Sequence, residues 1–138
     1  MSTTERLVQT GRTHTTGGRD GAARSSDGRL AVALSRPGTP GTGTNPEQLL
    51  AAGWSASFLD ALQIAAVERG VRLPPGAAID AEVHLYRDED ASFLRARLHV
   101  SLPDVLRPLA QVLVRAAHET CPYSKATRGN VDVAITVA

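Results

Sequence analysis

The stretch Thr44-Asn45-Pro46-Glu47-Gln48-Leu49-Leu50-Ala51-Ala52-Gly53-Trp54-Ser55-Ala56-Ser57-Phe58-Leu59-Asp60-Ala61-Leu62-Gln63-Ile64-Ala65-Ala66 decides the fold. It opens with stacked helix-start signals: Asn45 as N-cap, Pro46 at the first helical position and Gln48 three residues after the cap. Between Gln48 and Glu68 the sole charged side chain is Asp60. A helix that is apolar nearly all the way round is buried on all sides, so the stretch predicts the central buried helix of the protein. It holds too much Ala, Ser and Gly, and too few continuous bulky apolar residues, to be a convincing membrane span. Glu47 and Ser57 are the residues on it that call for an explanation.

The flanks supply strands. Residues 5–14 alternate moderately and run into the turn-forming cluster Gly17-Gly18-Arg19-Asp20-Gly21. Ala22–Ser26, the Asp27-Gly28 turn and the alternating run Arg29–Leu34 follow, a strong hairpin signal. A three-stranded antiparallel meander is therefore expected from about residue 5 to 35. Residues 37–44 are rich in Gly, Pro and Thr but lack both Gly-Lys-Ser/Thr and GxGxxG, so they read as a connecting loop rather than a phosphate cradle.

Beyond the helix, Gly70 stands as C-terminal cap, with Pro74-Pro75 after it. Ile79–Tyr86 and Phe93–Val100 alternate as two half-buried strands joined by the charged loop Arg87–Ala91, whose charge has no account in the sequence. Leu106–His118 carries a helical apolar stripe, with Pro108 tolerable only in its first turn. Cys121-Pro122 ends that helix, a short turn is expected, and Val131–Val137 reads as a last strand. The order βββ-α-ββ-α-β predicts an α+β fold in one domain, 1–138, with residues 1–4 expected to be flexible.

Composition excludes several functions. Basic and acidic side chains number 15 and 14, a net charge of +1, and no Lys/Arg run or basic-aromatic interleaving suggests nucleic acid as a partner. Met1–Arg6 lack the apolar core of a signal peptide, so a cytoplasmic protein is expected. The one cysteine, Cys121, leaves no internal disulfide. His14, His84, His99 and His118 lie on separate elements without ligand spacing, and His84 and His99 are expected to face solvent on their strands; no metal is expected. Ser55 and Ser57 lie inside a helix and not at the strand-to-helix turn of a hydrolase nucleophile. Taken singly, Glu47 is an acid stabilised by a helix N-terminus, Arg19 a solvated loop charge, and Cys121 a small buried residue.

In combination they say more. Thr16-Gly17-Gly18-Arg19-Asp20-Gly21, Gly43-Thr44-Asn45-Pro46-Glu47-Gln48-Leu49, Ala51–Leu59 and Cys121-Pro122-Tyr123-Ser124-Lys125-Ala126-Thr127-Arg128-Gly129-Asn130 resemble, in order and over essentially the whole chain, the organic hydroperoxide resistance (Ohr) proteins of the Ohr/OsmC superfamily. The resemblance implies an OsmC-like α+β fold in an intertwined homodimer with active sites at the subunit interface. It further implies thiol-dependent reduction of organic, especially fatty-acid, hydroperoxides, with no bound cofactor and with a lipoylated protein or dihydrolipoamide-type thiol as reductant. Carried over by motif, Arg19 matches the catalytic arginine, Glu47 the glutamate that positions it, and Cys121 the resolving cysteine. Ser57 occupies the slot of the peroxidatic cysteine.

That departure governs the function expected. A thiol peroxidase needs a thiolate, which a nearby Arg favours, and the sulfenic acid left after attack on the O–O bond condenses with a second thiol. A serine hydroxyl does neither, so the chain is expected to bind without turnover. Ser57 is either an engineered replacement in an active peroxidase, favoured by the otherwise intact site, or a natural feature of a non-catalytic relative that binds acyl or lipid-like ligands. An apolar pocket is expected from among Leu49, Leu50, Trp54 and Phe58. Glu47 and Ser57 lie about 15 Å apart along one helix, so two antiparallel copies would bring Glu47 of one subunit towards Ser57 of the other, with Ala51, Ala52, Gly53 and Ala56 near the crossing.

Overall fold

In the computed structural model, which describes residues 4–138, the stretch quoted above is the helix α1, Pro46–Glu68. Pro46 opens it, and Gly70 just beyond its end takes a left-handed φ of 68°, the conformation a helix terminates in most cheaply when no Cβ is present. The chain divides into two compact units, one ending at Pro46 and the other spanning Glu47–Ala138. The expectation of flexibility at residues 1–4 falls, for residues 1–3, outside the described residues.

The first unit is the expected meander, but shorter. Strands β1 (Thr13–Thr16), β2 (Ala22–Ser25) and β3 (Ala31–Ala33) pair antiparallel in that order. Residues 5–12 form no strand, and Leu7 and Val8 remain exposed: alternation alone does not make a strand without a partner edge to pair with. A 3-10 turn at Gly18–Asp20 links β1 to β2. A Cβ on Gly21 would collide with the carbonyl oxygen of Thr16, so this turn closes only on glycine. Asp20 locks it from outside, accepting the Arg36 N–H at 2.8 Å and pairing with the Arg36 guanidinium at 2.9 Å.

The second unit holds the core. Strands β4 (Ala78–Arg87) and β5 (Ser92–Ser101) form an antiparallel hairpin, and β6 (Asp132–Val137) adds to β5 in parallel. Parallel pairing needs a crossover, supplied by α2 (Arg107–Thr120) and α3 (Pro122–Thr127). Alternation sends Ile79, Ala81, Val83, Ala96, Leu98, Val100, Val133, Ile135 and Val137 to one face, where they pack with α1 and α2. The charged loop between β4 and β5 has a structural role: Asp88 accepts the N–H groups of Asp90 and Ala91, at 2.9 and 2.8 Å, and closes the hairpin. Those two bonds hold its carboxyl below the usual carboxylate range.

Two features of α1 differ from its sequence reading. By length and composition alone it is long and apolar enough to cross a membrane, a property that core helices share. Its burial within the single chain is one-sided. Trp54, Phe58, Ala61, Leu62, Ala65 and Ala66 are buried, while Ala52, Ala56 and Asp60 are exposed and Ile64 and Val67 are 52% and 67% exposed. Hydropathy measures how much apolar surface a helix must cover, not which chain covers it.

Candidate active site

The junction of α2 and α3 positions the one thiol. Pro122 has no N–H, and its ring drives the preceding residue out of helical geometry. Cys121 accordingly takes φ −60° and ψ 125°, and it caps both helices. Its N–H donates to Ala117 O at 2.8 Å, and its carbonyl accepts the Lys125 N–H at 2.9 Å. The expected short turn after Cys121 is instead the helix α3; Pro122 at its first position is a helix-start signal that the sequence reading passed over. The side chain of Cys121 has no exposed surface.

Opposite it stands α1. Cys121 Sγ donates to Ser57 Oγ at 3.6 Å, across 64 residues of sequence. One turn earlier on α1, Trp54 Nε1 donates to Ser124 Oγ at 3.3 Å, both residues being fully buried. Ser124, which the sequence singles out only as part of a motif, is thereby a second tie between α1 and α3. Tyr123 borders the same surface: a Cβ on Gly53 would lie 3.6 Å from its hydroxyl, an ordinary van der Waals contact. Trp54 and Phe58, expected near an apolar pocket, belong to the closed core, whereas Leu49 and Leu50 are half-buried.

The other residues expected at the site, Glu47 and Arg19, lie elsewhere in the sequence. Glu47 is half-buried in the first turn of α1, and the unbroken helix keeps it about 15 Å from Ser57. Arg19 is half-buried in the 3-10 turn of the first unit. Ser57 and Cys121 are thus the pair that the second unit brings together. Among the described residues, no three His, Cys, Asp or Glu side chains converge.

His118 shares the last turn of α2 with this junction. Its Nδ1 is buried without a hydrogen-bond partner, and its carbonyl accepts Nη2 of Arg128. Burial, and then the Arg128 charge, push its pKa below the ordinary 6.5, with Glu119 opposing. A histidine that is harder to protonate folded than unfolded gives stability that is complete above about 6.5 and is lost as pH falls through the lowered value. Thermal denaturation is therefore expected to lose more between about pH 7.5 and pH 5.5 in the native protein than in His118→Gln. Parallel curves would remove His118 as the cause, because His14, His84 and His99 remain in both proteins.

The fold is shared with known proteins. Residues 38–136 match the family model described as OsmC-like protein. The organic hydroperoxide resistance protein of Xanthomonas axonopodis pv. citri is 40% identical over 142 aligned residues, covering 100% of both chains. Organic hydroperoxide resistance protein OhrB of Bacillus subtilis is 48% identical over 122 residues, 85% of this chain and 88% of the relative. The crystal structure of Bacillus subtilis OhrB superposes with a TM-score of 0.88 at 42% identity, covering 94% of this chain and 98% of that one.

Proposed function

The chain belongs to the OsmC-like family, on its organic hydroperoxide resistance branch, and on that premise we propose that Ser57 and Cys121 mark a thiol-peroxidase centre that binds organic hydroperoxides without reducing them. The observation that carries the reading is the 3.6 Å approach of Ser57 Oγ to the buried sulfur of Cys121. With cysteine at position 57, a thiolate would attack the terminal oxygen of the hydroperoxide. The O–O bond breaks, an alcohol leaves with the proton, and the sulfur becomes a sulfenic acid. The Cys121 thiol then condenses with it, releasing water and forming a disulfide that an external dithiol of the lipoyl type reduces. In this scheme Arg19 favours the thiolate and orients the peroxide, and Glu47 positions Arg19.

Ser57 stops the sequence at its first step. A hydroxyl is not ionised at neutral pH and has no counterpart of the sulfenic acid, and the chain contains no second thiol to partner Cys121. Stopped-flow mixing with tert-butyl hydroperoxide and dihydrolipoamide is expected to show consumption no faster than without protein. Protein-dependent turnover at the rate of an active peroxidase would overturn the proposal. The lone thiol also favours a second reading, a non-catalytic relative that binds acyl or lipid-like molecules. The two separate on restoring the sulfur: a Ser57→Cys protein that stays inert favours the binding module. We place either form in the cytoplasm, where a single thiol stays reduced.

The open face of α1 supports assembly as a homodimer. Ala52 and Ala56 permit close approach of a second helix, and Ile64 and Val67 offer apolar surface beyond them. Antiparallel pairing of two α1 helices would carry Glu47 of the partner subunit towards Ser57. Light scattering at micromolar concentration is expected to give twice the 14.5 kDa chain mass, and a monomer would refute the pairing.

A further inference from the structure

A groove of about 540 Å³ runs between α2 and β6, along the edge of the contact between them. Arg107, Gln111, Arg115 and His118 enter it from α2 at spacings of four, four and three, which stacks their side chains along one helix face. No acidic residue lines it. Among the described residues, neither Arg107 nor Arg115 has a carboxylate within 4.0 Å. Arg107 instead donates through Nη1 to Val137 O at 3.2 Å, which holds its guanidinium against the strand wall.

A further observation bears on the occupant. Val114, Ile135 and Val137 give the groove apolar surface beside its cations. Guanidinium groups match the planar fork of a carboxylate or phosphate, whereas apolar lining adds nothing to the binding of a bare inorganic ion.

We propose that the α2–β6 groove binds a small organic oxyanion, its carboxylate or phosphate held by Arg107 and Arg115 and its apolar body lying against Val114, Ile135 and Val137. The volume suits a small molecule. The site is distinct from the Ser57–Cys121 pair, sharing no residue with it, and the proposal does not depend on hydroperoxide chemistry. Arg115 is the cleaner anchor to remove, because Arg107 also ties α2 to β6.

The test is amide-resolved NMR titration of the native protein with phenyl phosphate, benzoate and inorganic phosphate. Saturable shifts are expected at residues 107–118 and 135–137. The better aromatic anion is expected to bind at least about tenfold tighter than inorganic phosphate, and at least about tenfold weaker in Arg115→Gln, with the rest of the spectrum unchanged. Preference for phenyl phosphate assigns a phosphate ester, and preference for benzoate a carboxylate; either supports the site. Absence of saturation into the millimolar range, equal affinity in Arg115→Gln, equal affinity for inorganic phosphate, or shifts confined to other residues would each overturn it.

Discussion

The Ser57→Cys protein is expected to reduce organic hydroperoxide with dihydrolipoamide at least about a thousandfold faster than the native chain, a difference on the order of 4 kcal/mol in barrier. That expectation rests on what the rest of the centre already supplies. The partner sulfur is in place, 3.6 Å from the atom to be exchanged, and it is shielded from bulk solvent. Closing a disulfide from that separation to about 2.05 Å takes side-chain rotation and a small approach of α1 to the α2–α3 junction. After treatment of the variant with one equivalent of hydroperoxide, peptide mapping without reductant should therefore find a disulfide joining position 57 to Cys121 within one chain. Crosslinking between chains, or sulfenic acid at position 57 with Cys121 still free, would show that the two positions do not meet as described.

Truncation of Trp54 to alanine is expected to be the most damaging single change to stability. Removing a fully buried aromatic ring costs about 3–5 kcal/mol through lost burial and the cavity left behind. The change also strands the Ser124 hydroxyl, buried with its indole partner gone, at a further cost of roughly 1–3 kcal/mol. Against the roughly 5–15 kcal/mol that holds an ordinary domain together, the sum is enough to unfold a marginal protein or to lower its melting temperature by about 10 °C or more. Trp54→Phe keeps most of the ring volume and loses the donor, so its cost should be the smaller hydrogen-bond part. Far-UV circular dichroism follows both variants. A loss below about 2 kcal/mol in Trp54→Ala would contradict the closed packing of α1 against α3.

Much of this architecture is legible in local signals. Pro46 and Gly70 bracket α1, Asp27-Gly28 marks the β2–β3 turn, Pro108 sits in the first turn of α2, and alternation marks β4, β5 and β6. These are short-range matters of backbone geometry and side-chain period, and they are written where they act. What stays hidden is non-local. Residues 5–12 alternate like a strand but have no partner strand within the described chain. The parallel seat of β6 beside β5, and the exposure of Ile64 and Val67 on a helix that reads as uniformly apolar, depend on what comes to lie alongside. The site divides the same way. Ser57, Cys121, Arg19 and Glu47 stand out through motif resemblance, but no spacing in the sequence announces that Ser57 and Cys121 touch or that Ser124 receives the indole of Trp54. Residue type is local information, and adjacency is a property of the fold.

The hydrogen bond between Trp54 and Ser124 has an optical consequence. The chain has one tryptophan, and its indole is fastened to the short helix that begins directly after the thiol. Any covalent change at Cys121 that shifts α3, whether oxidation, alkylation or a crosslink, alters the polarity and quenching felt by that single fluorophore. The protein thus carries its own label-free dye, and its intrinsic emission is a direct gauge of the chemical state of its one sulfhydryl.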